Sequence, residues 1–175
     1  MEVDEMVSKA KSGDKEALVK LIMLRQKEYY KLAYIYMKNK EDSLDALEDM
    51  IVILYENIRK LKKEEAFYSW SKTILVNCCK KLLKEKRKVV LIDKLDERLY
   101  EPVVNKQEDQ IVLEDKLSKL SPKHQEVIRM RYYLDLDYES ISNLLKIPIG
   151  TVKSRISIGI NKLRESLGGD KYEGY

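Results

Sequence analysis

The chain has 175 residues, 37% of them charged and 44% hydrophobic, with six Gly and three Pro, a composition that suits one ordinary or two small helix-rich domains. Its 34 basic and 30 acidic residues leave a net charge of only +4, so any electrostatic case for nucleic-acid binding must be local. No apolar run approaches the roughly 20 residues that cross a bilayer, and Met1-Glu-Val-Asp-Glu is too acidic for a signal peptide, so a cytoplasmic protein is expected.

Enzymatic chemistry has little to work with. Cys78 and Cys79 are adjacent, a poor basis for a disulfide framework. The single histidine, His124, follows Ser121-Pro122 at a helix start, where a solvated or packing role is the expectation. Zinc-ligand spacing, a phosphate-cradling glycine loop and a nucleophile elbow are all missing from the sequence. No enzyme activity, cofactor, metal or small-molecule substrate is expected.

Val3 to Ala10 reads as a short helix closed by Ser12-Gly13. Asp14 then caps a long helix with core positions at Ala17, Leu18, Leu21, Ile22, Leu32 and Tyr36. Tyr29, Tyr30, Tyr34 and Tyr36 suit packing at helix junctions better than stacking on bases. In the next helix Leu44, Leu47, Ile51, Leu54, Ile58 and Leu61 recur three or four residues apart, which predicts a buried stripe. Asp45, Asp49 and Glu56 project from the other side, with Glu48 on a flank and Val52 among them. From Glu41 through Tyr55 there are five acids and no base. An acidic face is usually just solvated, but an apolar side chain among carboxylates hints at a partner bringing basic and apolar groups.

Leu61-Lys-Lys-Glu-Glu-Ala66 reads as a polar loop, and a further helix starts at Phe67. Phe67, Trp70, Ile74 and Cys78 share a stripe on it, so Trp70 suits a core and a base-stacking role equally. From Asn77 through Val90 six bases, including Lys80, Lys81 and Lys84, oppose the one acid Glu85. A basic face behind an aromatic-rich helix start suits single-stranded DNA, with ammonium groups on phosphates and rings on bases. From Val89 to about Leu113 weak periodicity, scattered acids and Pro102 predict a linker.

Near the C-terminus, Asp137 caps a short helix with an apolar stripe at Ile141, Leu144 and Leu145. Pro148 fits the first position of a second helix, where no amide hydrogen is needed. There Ile149, Val152, Ile156, Ile160 and Leu163 share one face, and Ser154, Ile158 and Asn161 lie opposite, with Thr151, Lys153 and Arg155 at the edges. This is the pattern of a helix-turn-helix whose second helix enters a DNA groove, or of an ordinary helical hairpin with a solvated basic face. Gly168 to Tyr175 reads as a frayed tail.

The wording of these segments adds to their pattern. Ile147-Pro-Ile-Gly-Thr-Val-Lys-Ser-Arg-Ile156 resembles the minus-thirty-five-reading helix of extracytoplasmic-function (ECF) sigma factors, and Leu120 to Tyr133 resembles the helix leading into it. Ser140 stands where the family usually has Glu, and Ile158 where it often has Arg. Asp42-Ser-Leu-Asp-Ala-Leu-Glu-Asp49 resembles the segment that docks on the coiled-coil of the largest RNA polymerase subunit, with Glu48 where Gln is more usual. The helix from Phe67 resembles the minus-ten reader, with Phe67, Trp70 and Asn77 at motif positions, and in that family the loop at about Lys62 to Ala66 receives a flipped base.

The resemblance covers nearly the whole chain. It implies an all-α protein of two small helical domains joined by an acidic linker: residues 1–92 for docking, minus-ten recognition and melting, 93–112 as linker, and 113–175 with the helix-turn-helix. It implies core RNA polymerase and promoter DNA, duplex and single-stranded, as partners, and an anti-sigma protein, often membrane-anchored. By residue it implies polymerase contacts at Asp45, Glu48 and Asp49, to which the mixed face adds Val52. Minus-ten contacts follow at Phe67, Trp70 and Asn77, to which the basic face adds Lys80, Lys81 and Lys84, and minus-thirty-five contacts are expected at Thr151, Lys153, Ser154, Arg155 and Ile158. The competing readings are a helix-turn-helix repressor that binds duplex operators without polymerase, and a helical interaction protein that binds no DNA.

Overall fold

The computed structural model describes residues 2–92 and 108–168. Among them every regular element is helical, and the chain divides into two compact units, Met1–Glu97 and Arg98–Tyr175.

In the first unit α1 (Val3–Lys11) and α2 (Lys15–Leu24) form a pair joined by Ser12-Gly13. Gly13 has φ +108°, a conformation open to glycine, and Asp14 caps α2 by accepting from the Ala17 amide at 3.1 Å. The single long helix expected after Asp14 is in fact two, α2 and α3 (Gln26–Met37). No Gly or Pro marks the break. The Tyr68 hydroxyl donates to the Leu21 carbonyl at 3.2 Å, and the Arg25 amide turns to the Ile22 carbonyl instead. The Arg25 guanidinium then covers the Tyr68 ring at 4.6 Å.

Helices α3, α4 (Lys40–Asn57) and α5 (Phe67–Ile92) pack against one another. Among the four tyrosines, Tyr29 is fully buried with its hydroxyl 2.7 Å from Ser71 Oγ, Tyr36 and Tyr30 are half-buried, and Tyr34 is exposed. Asn39 caps α4: its side chain accepts from the Asp42 amide at 2.9 Å and donates to the Asp42 carboxylate at 2.6 Å.

The buried stripe of α4 differs from expectation. Ser43, Ala46, Met50 and Leu54 face inward, continued by Ile58 and Leu61, whereas Leu44 and Ile51 are exposed and Leu47 is half-buried. The small side chains of Ser43 and Ala46 let α4 approach its neighbours, and Ser43 is satisfied by donating to the Asn39 carbonyl at 2.6 Å. Between α4 and α5 the chain makes 3₁₀ turns at Ile58–Lys60 and Glu64–Ala66. The expected polar loop is therefore partly structured, and Lys11 of α1 pins it through Glu64 at 2.7 Å.

In the second unit α6 (Glu108–Ser118) begins within the stretch expected to be linker, while residues 93–107 and 169–175 lie outside the described residues. It is tied to α7 (Pro122–Tyr132) by Leu117, which packs with Ile128 and Leu163, and by a bidentate Arg129–Glu114 pair at 2.5 and 3.2 Å. Helix α8 (Tyr138–Leu145) starts at Asp137, whose carboxylate accepts from the Ser140 amide at 2.7 Å. It ends at Lys146, which is left-handed at φ 57°. Helix α9 (Ile149–Ser166) follows at once. Pro148 is its N-cap rather than its first residue, with an extended ψ of 145° and a carbonyl that accepts from Thr151 and Val152 at 2.9 and 3.2 Å.

Helices α7 and α9 cross at Gly159. A Cβ there would stand 2.5 Å from Ile128 Cδ1 and 3.3 Å from His124 Cβ, whereas one at Gly150 would meet nothing within 4 Å. Replacing Gly by Ala in a helix gains about 1 kcal/mol of propensity, but overpacking a tight contact costs about 1–3 kcal/mol. Gly159→Ala is thus expected to lower the melting temperature of the second unit and Gly150→Ala to leave it equal or raised, as calorimetry of the two variants will show. Equal melting of both would mean that the crossing is looser than it stands here.

Candidate nucleic-acid and partner interfaces

The outward side of α4 carries Asp45, Glu48, Asp49 and Val52, all exposed as expected. It also carries Leu44 and Ile51, which sequence reasoning assigned to the core. The surface is therefore a mixed one, apolar along Leu44, Ile51 and Val52 and anionic along Asp45, Glu48 and Asp49. Such a mixture suits a partner that presents arginines beside aliphatic groups. The start of the helix is fixed from α5 by Lys86, which pairs with Asp42. Burial opposes charge on Asp42, but hydrogen bonds from Lys86 and Asn39 outweigh it and hold the carboxyl below its usual range. The signal for the true stripe was present in Ser43, Ala46, Met50 and Leu54, which follow one another at spacings of three, four and four.

The second surface lies on α5. Asn77, Lys80, Lys81 and Lys84 are exposed, and Trp70 and Thr73 are half-buried on the same side of the helix. Lys84 lies fourteen positions after Trp70 on the helix, or about 21 Å at 1.5 Å per residue, a track several nucleotides long. Phe67 departs from the expectation of a DNA-facing ring: it is 1% exposed, with its centroid 5.3 Å from Tyr68 and 6.5 Å from Trp70. It holds the Trp70 ring from beneath and offers no face to a base. Cys78 and Cys79 lie on the inner side as free thiols, pushed up by burial to about 11 and about 12, so they are protonated at neutral pH.

The third surface is α9. Val152, Ile156, Gly159 and Leu163 are buried, whereas Ile149 is exposed and Ile160 half-buried at the edge of the stripe. On the outer side Lys153, Ser154 and Ile158 are exposed, and Thr151 and Arg155 are half-buried. Lys153 of α9 and Arg131 of α7 both stand over the Tyr138 ring, at 5.7 and 5.1 Å, so one aromatic side chain gathers two cations beside the outer face. His124 proves to be a packing residue: it is 4% exposed, with Nδ1 2.8 Å from Ser121 Oγ. Burial, then Lys162, Lys123 and Arg155, hold its pKa below the usual value.

Among the described residues no group of His, Cys, Asp and Glu is arranged to hold a metal ion, and no helix is long and apolar enough to cross a membrane.

Residues 21–89 match the Sigma-70 region 2 family, and residues 117–165 match Sigma-70, region 4. The RNA polymerase sigma factor SigV of Bacillus subtilis (strain 168) is 28% identical over 162 residues, which span 91% of this chain and 96% of that protein. The ECF RNA polymerase sigma factor SigW of the same organism is 25% identical over 182 residues, spanning 95% and 97%. Among solved structures, CnrH in complex with the cytosolic domain of CnrY superposes with a TM-score of 0.70 at 18% identity, over 97% of this chain and 99% of that one. The sigma factor RpoE in complex with the anti-sigma factor NepR from Bartonella quintana gives 0.68 at 20% identity, over 87% and 97%. At these identities the structural likeness is one of fold.

Proposed function

The chain belongs to the extracytoplasmic-function sigma factor family, and from that premise we propose how its three surfaces divide the work. A sigma factor of this family binds core RNA polymerase, directs it to promoters and initiates transcription, while the polymerase supplies the chemistry. In our reading α4 docks on a polymerase helix through Asp45, Glu48, Asp49, Val52, Leu44 and Ile51. The outer side of α5 holds the unpaired minus-ten strand through Trp70, Asn77, Lys80, Lys81 and Lys84. The outer side of α9 enters the minus-thirty-five major groove through Thr151, Lys153, Ser154, Arg155 and Ile158.

The succession of these faces carries the reading: anionic and apolar on α4, cationic and aromatic on α5, small and basic on α9. A repressor would need the third alone. Mixing the purified chain with core polymerase is expected to give a one-to-one complex on gel filtration, and failure to associate would favour the repressor.

On α9 the roles of two cations separate by salt and sequence. Arg155→Ala and Lys153→Ala are each expected to weaken binding to duplex minus-thirty-five DNA. Loss of a phosphate contact lowers the salt slope by about one, and loss of a bidentate base contact costs about 1–3 kcal/mol and relaxes sequence preference. Wild-type binding by both variants would remove α9 from the groove.

The exposed apolar residues of α4 also favour an anti-sigma partner, and the similar RpoE structure was solved in complex with the anti-sigma factor NepR. An inhibitor covering Leu44, Ile51 and Val52 would exclude polymerase, so a saturating inhibitor is expected to block core binding. A stable ternary complex would count against occlusion.

A further inference from the structure

Between the α1–α2 turn and the end of α4 lies an open cavity of about 300 Å³, whose lining includes Gly13, Asp14, Lys15, Tyr55, Glu56 and Arg59. None of these residues belongs to the three surfaces above. Tyr55 forms one wall, 53% exposed, with Lys15 Nζ 5.1 Å from its ring centroid. Arg59 also lines the cavity, and its Nη2 stands 3.6 Å from the place a Cβ on Gly13 would take. Gly13 leaves that place open, since its φ of +108° disfavours any side chain. Asp14 and Glu56 add carboxylate acceptors, Asp14 using one oxygen to cap α2.

The chemistry of this set is selective. Two cations suit a phosphate, a half-open phenol ring suits a flat aromatic face, and carboxylates suit the N–H edge of a base. A bare anion would use neither the ring nor the acids, and an acidic peptide would be repelled by them. The volume lies at the lower end of small-ligand sites, which run from roughly 300 to 1,000 Å³, and suits one nucleotide unit.

Position supplies the source. Arg59 lies just before Lys62–Ala66, and that stretch runs directly into the start of α5. Both 3₁₀ turns pack on α1, whose Ala10 also lines the cavity. Arg59, Lys62–Ala66 and the start of α5 are thus successive in the chain, and through α1 the cavity adjoins the turns that precede α5. We propose that the cavity takes one nucleotide of the single-stranded DNA beyond those held by α5, with its base on Tyr55 and its phosphate on Arg59 and Lys15. The proposal rests on the reading of α5 as a single-strand surface. Lys15 turns from the ring to the phosphate when the strand arrives.

The test uses the full chain with core polymerase and a single-stranded DNA selected from a random pool by the wild-type complex. An abasic site is walked along that strand, and affinity is read by fluorescence anisotropy. With the wild type, one position beyond those dependent on Trp70 is expected to lose roughly tenfold when its base is removed, the size of one stacking contact. Tyr55→Ala should show the same loss on the intact strand and no further loss at that position alone. Arg59→Ala should weaken binding and lower the steepness of the salt dependence by about 0.7. Lys80→Ala with Lys84→Ala should weaken every strand. If Tyr55→Ala and Arg59→Ala bind every strand as wild type does while the lysine variant fails, the cavity assignment is wrong and the α5 reading stands. If the lysine variant also binds normally, the α5 reading falls and the cavity proposal with it. Free dAMP that occupies the cavity without competing with the strand would make it a mononucleotide site and overturn the proposal. Tyr55 and Arg59 are both exposed, so the variants should fold, and unchanged helical circular dichroism will verify that.

Discussion

Asp45→Lys combined with Asp49→Lys is expected to abolish transcription while leaving the protein folded. Both side chains are exposed, and the inner stripe of α4 is built from Ser43, Ala46, Met50 and Leu54, so neither substitution touches the core. At the proposed interface the carboxylates accept hydrogen bonds from polymerase arginines. Truncating one partner of such a pair costs about 2–5 kcal/mol once it is desolvated. Two pairs lost together thus weaken association by roughly a thousandfold or more, at 1.4 kcal/mol per factor of ten, and the added like charges make the loss larger. Affinity for core polymerase, measured on a variant with wild-type melting and circular dichroism, decides the matter. Native affinity would place the docking surface elsewhere. Ile51→Ala should show a smaller loss, since an exposed aliphatic group contributes area but no charge.

The α4 surface also shows where sequence reasoning reached its limit. The acids were legible because five of them crowd a stretch without a base. The buried stripe was misassigned because counting large aliphatic residues gives no weight to Ser43 and Ala46. Those two residues decide which side lies innermost, because small side chains admit a neighbouring helix. Leu44 and Ile51 are large apolar residues left exposed on α4, and in the proposed reading they mimic a core because their counterpart lies in a partner. The α2–α3 break was hidden differently. Its cause is Tyr68, forty-seven positions from the carbonyl it engages, and no local pattern carries that information. Phe67 was misread because a motif position suggests contact, whereas the packing makes it the support of Trp70. The helix-turn-helix was legible down to its cap at Asp137, since local rules govern each part of it. Pro148 moved by one residue, and Ile149 at the head of the expected stripe is exposed.

Opening of promoter DNA is the property that sets a sigma factor apart from other helix-turn-helix proteins, and on α5 it is expected to fail when Lys80→Ala and Lys84→Ala are combined. The energetic argument is one of matched sizes. Drawing a base from the duplex costs a few kcal/mol, and stacking on an aromatic side chain returns about 1–3 kcal/mol per base. Trp70 offers such a ring, half-buried against Phe67, with Asn77 and the lysines beyond it along about 21 Å of helix. One ring cannot hold a bubble alone, so phosphate neutralisation must supply the remainder. Each lysine that meets a phosphate of a single strand adds about 0.7 to the steepness of the logarithmic salt dependence. The double substitution is therefore expected to reduce that slope by about 1.4 and to remove permanganate reactivity of promoter thymines in the polymerase complex. Minus-thirty-five binding through α9 should be unaffected. Trp70→Ala should instead retain the salt slope and lose affinity for the unpaired strand. Changes within Lys62 to Ala66 should alter base preference at one position. If thymine reactivity survives both the lysine and the Trp70 variants, α5 is not the element that holds the strand.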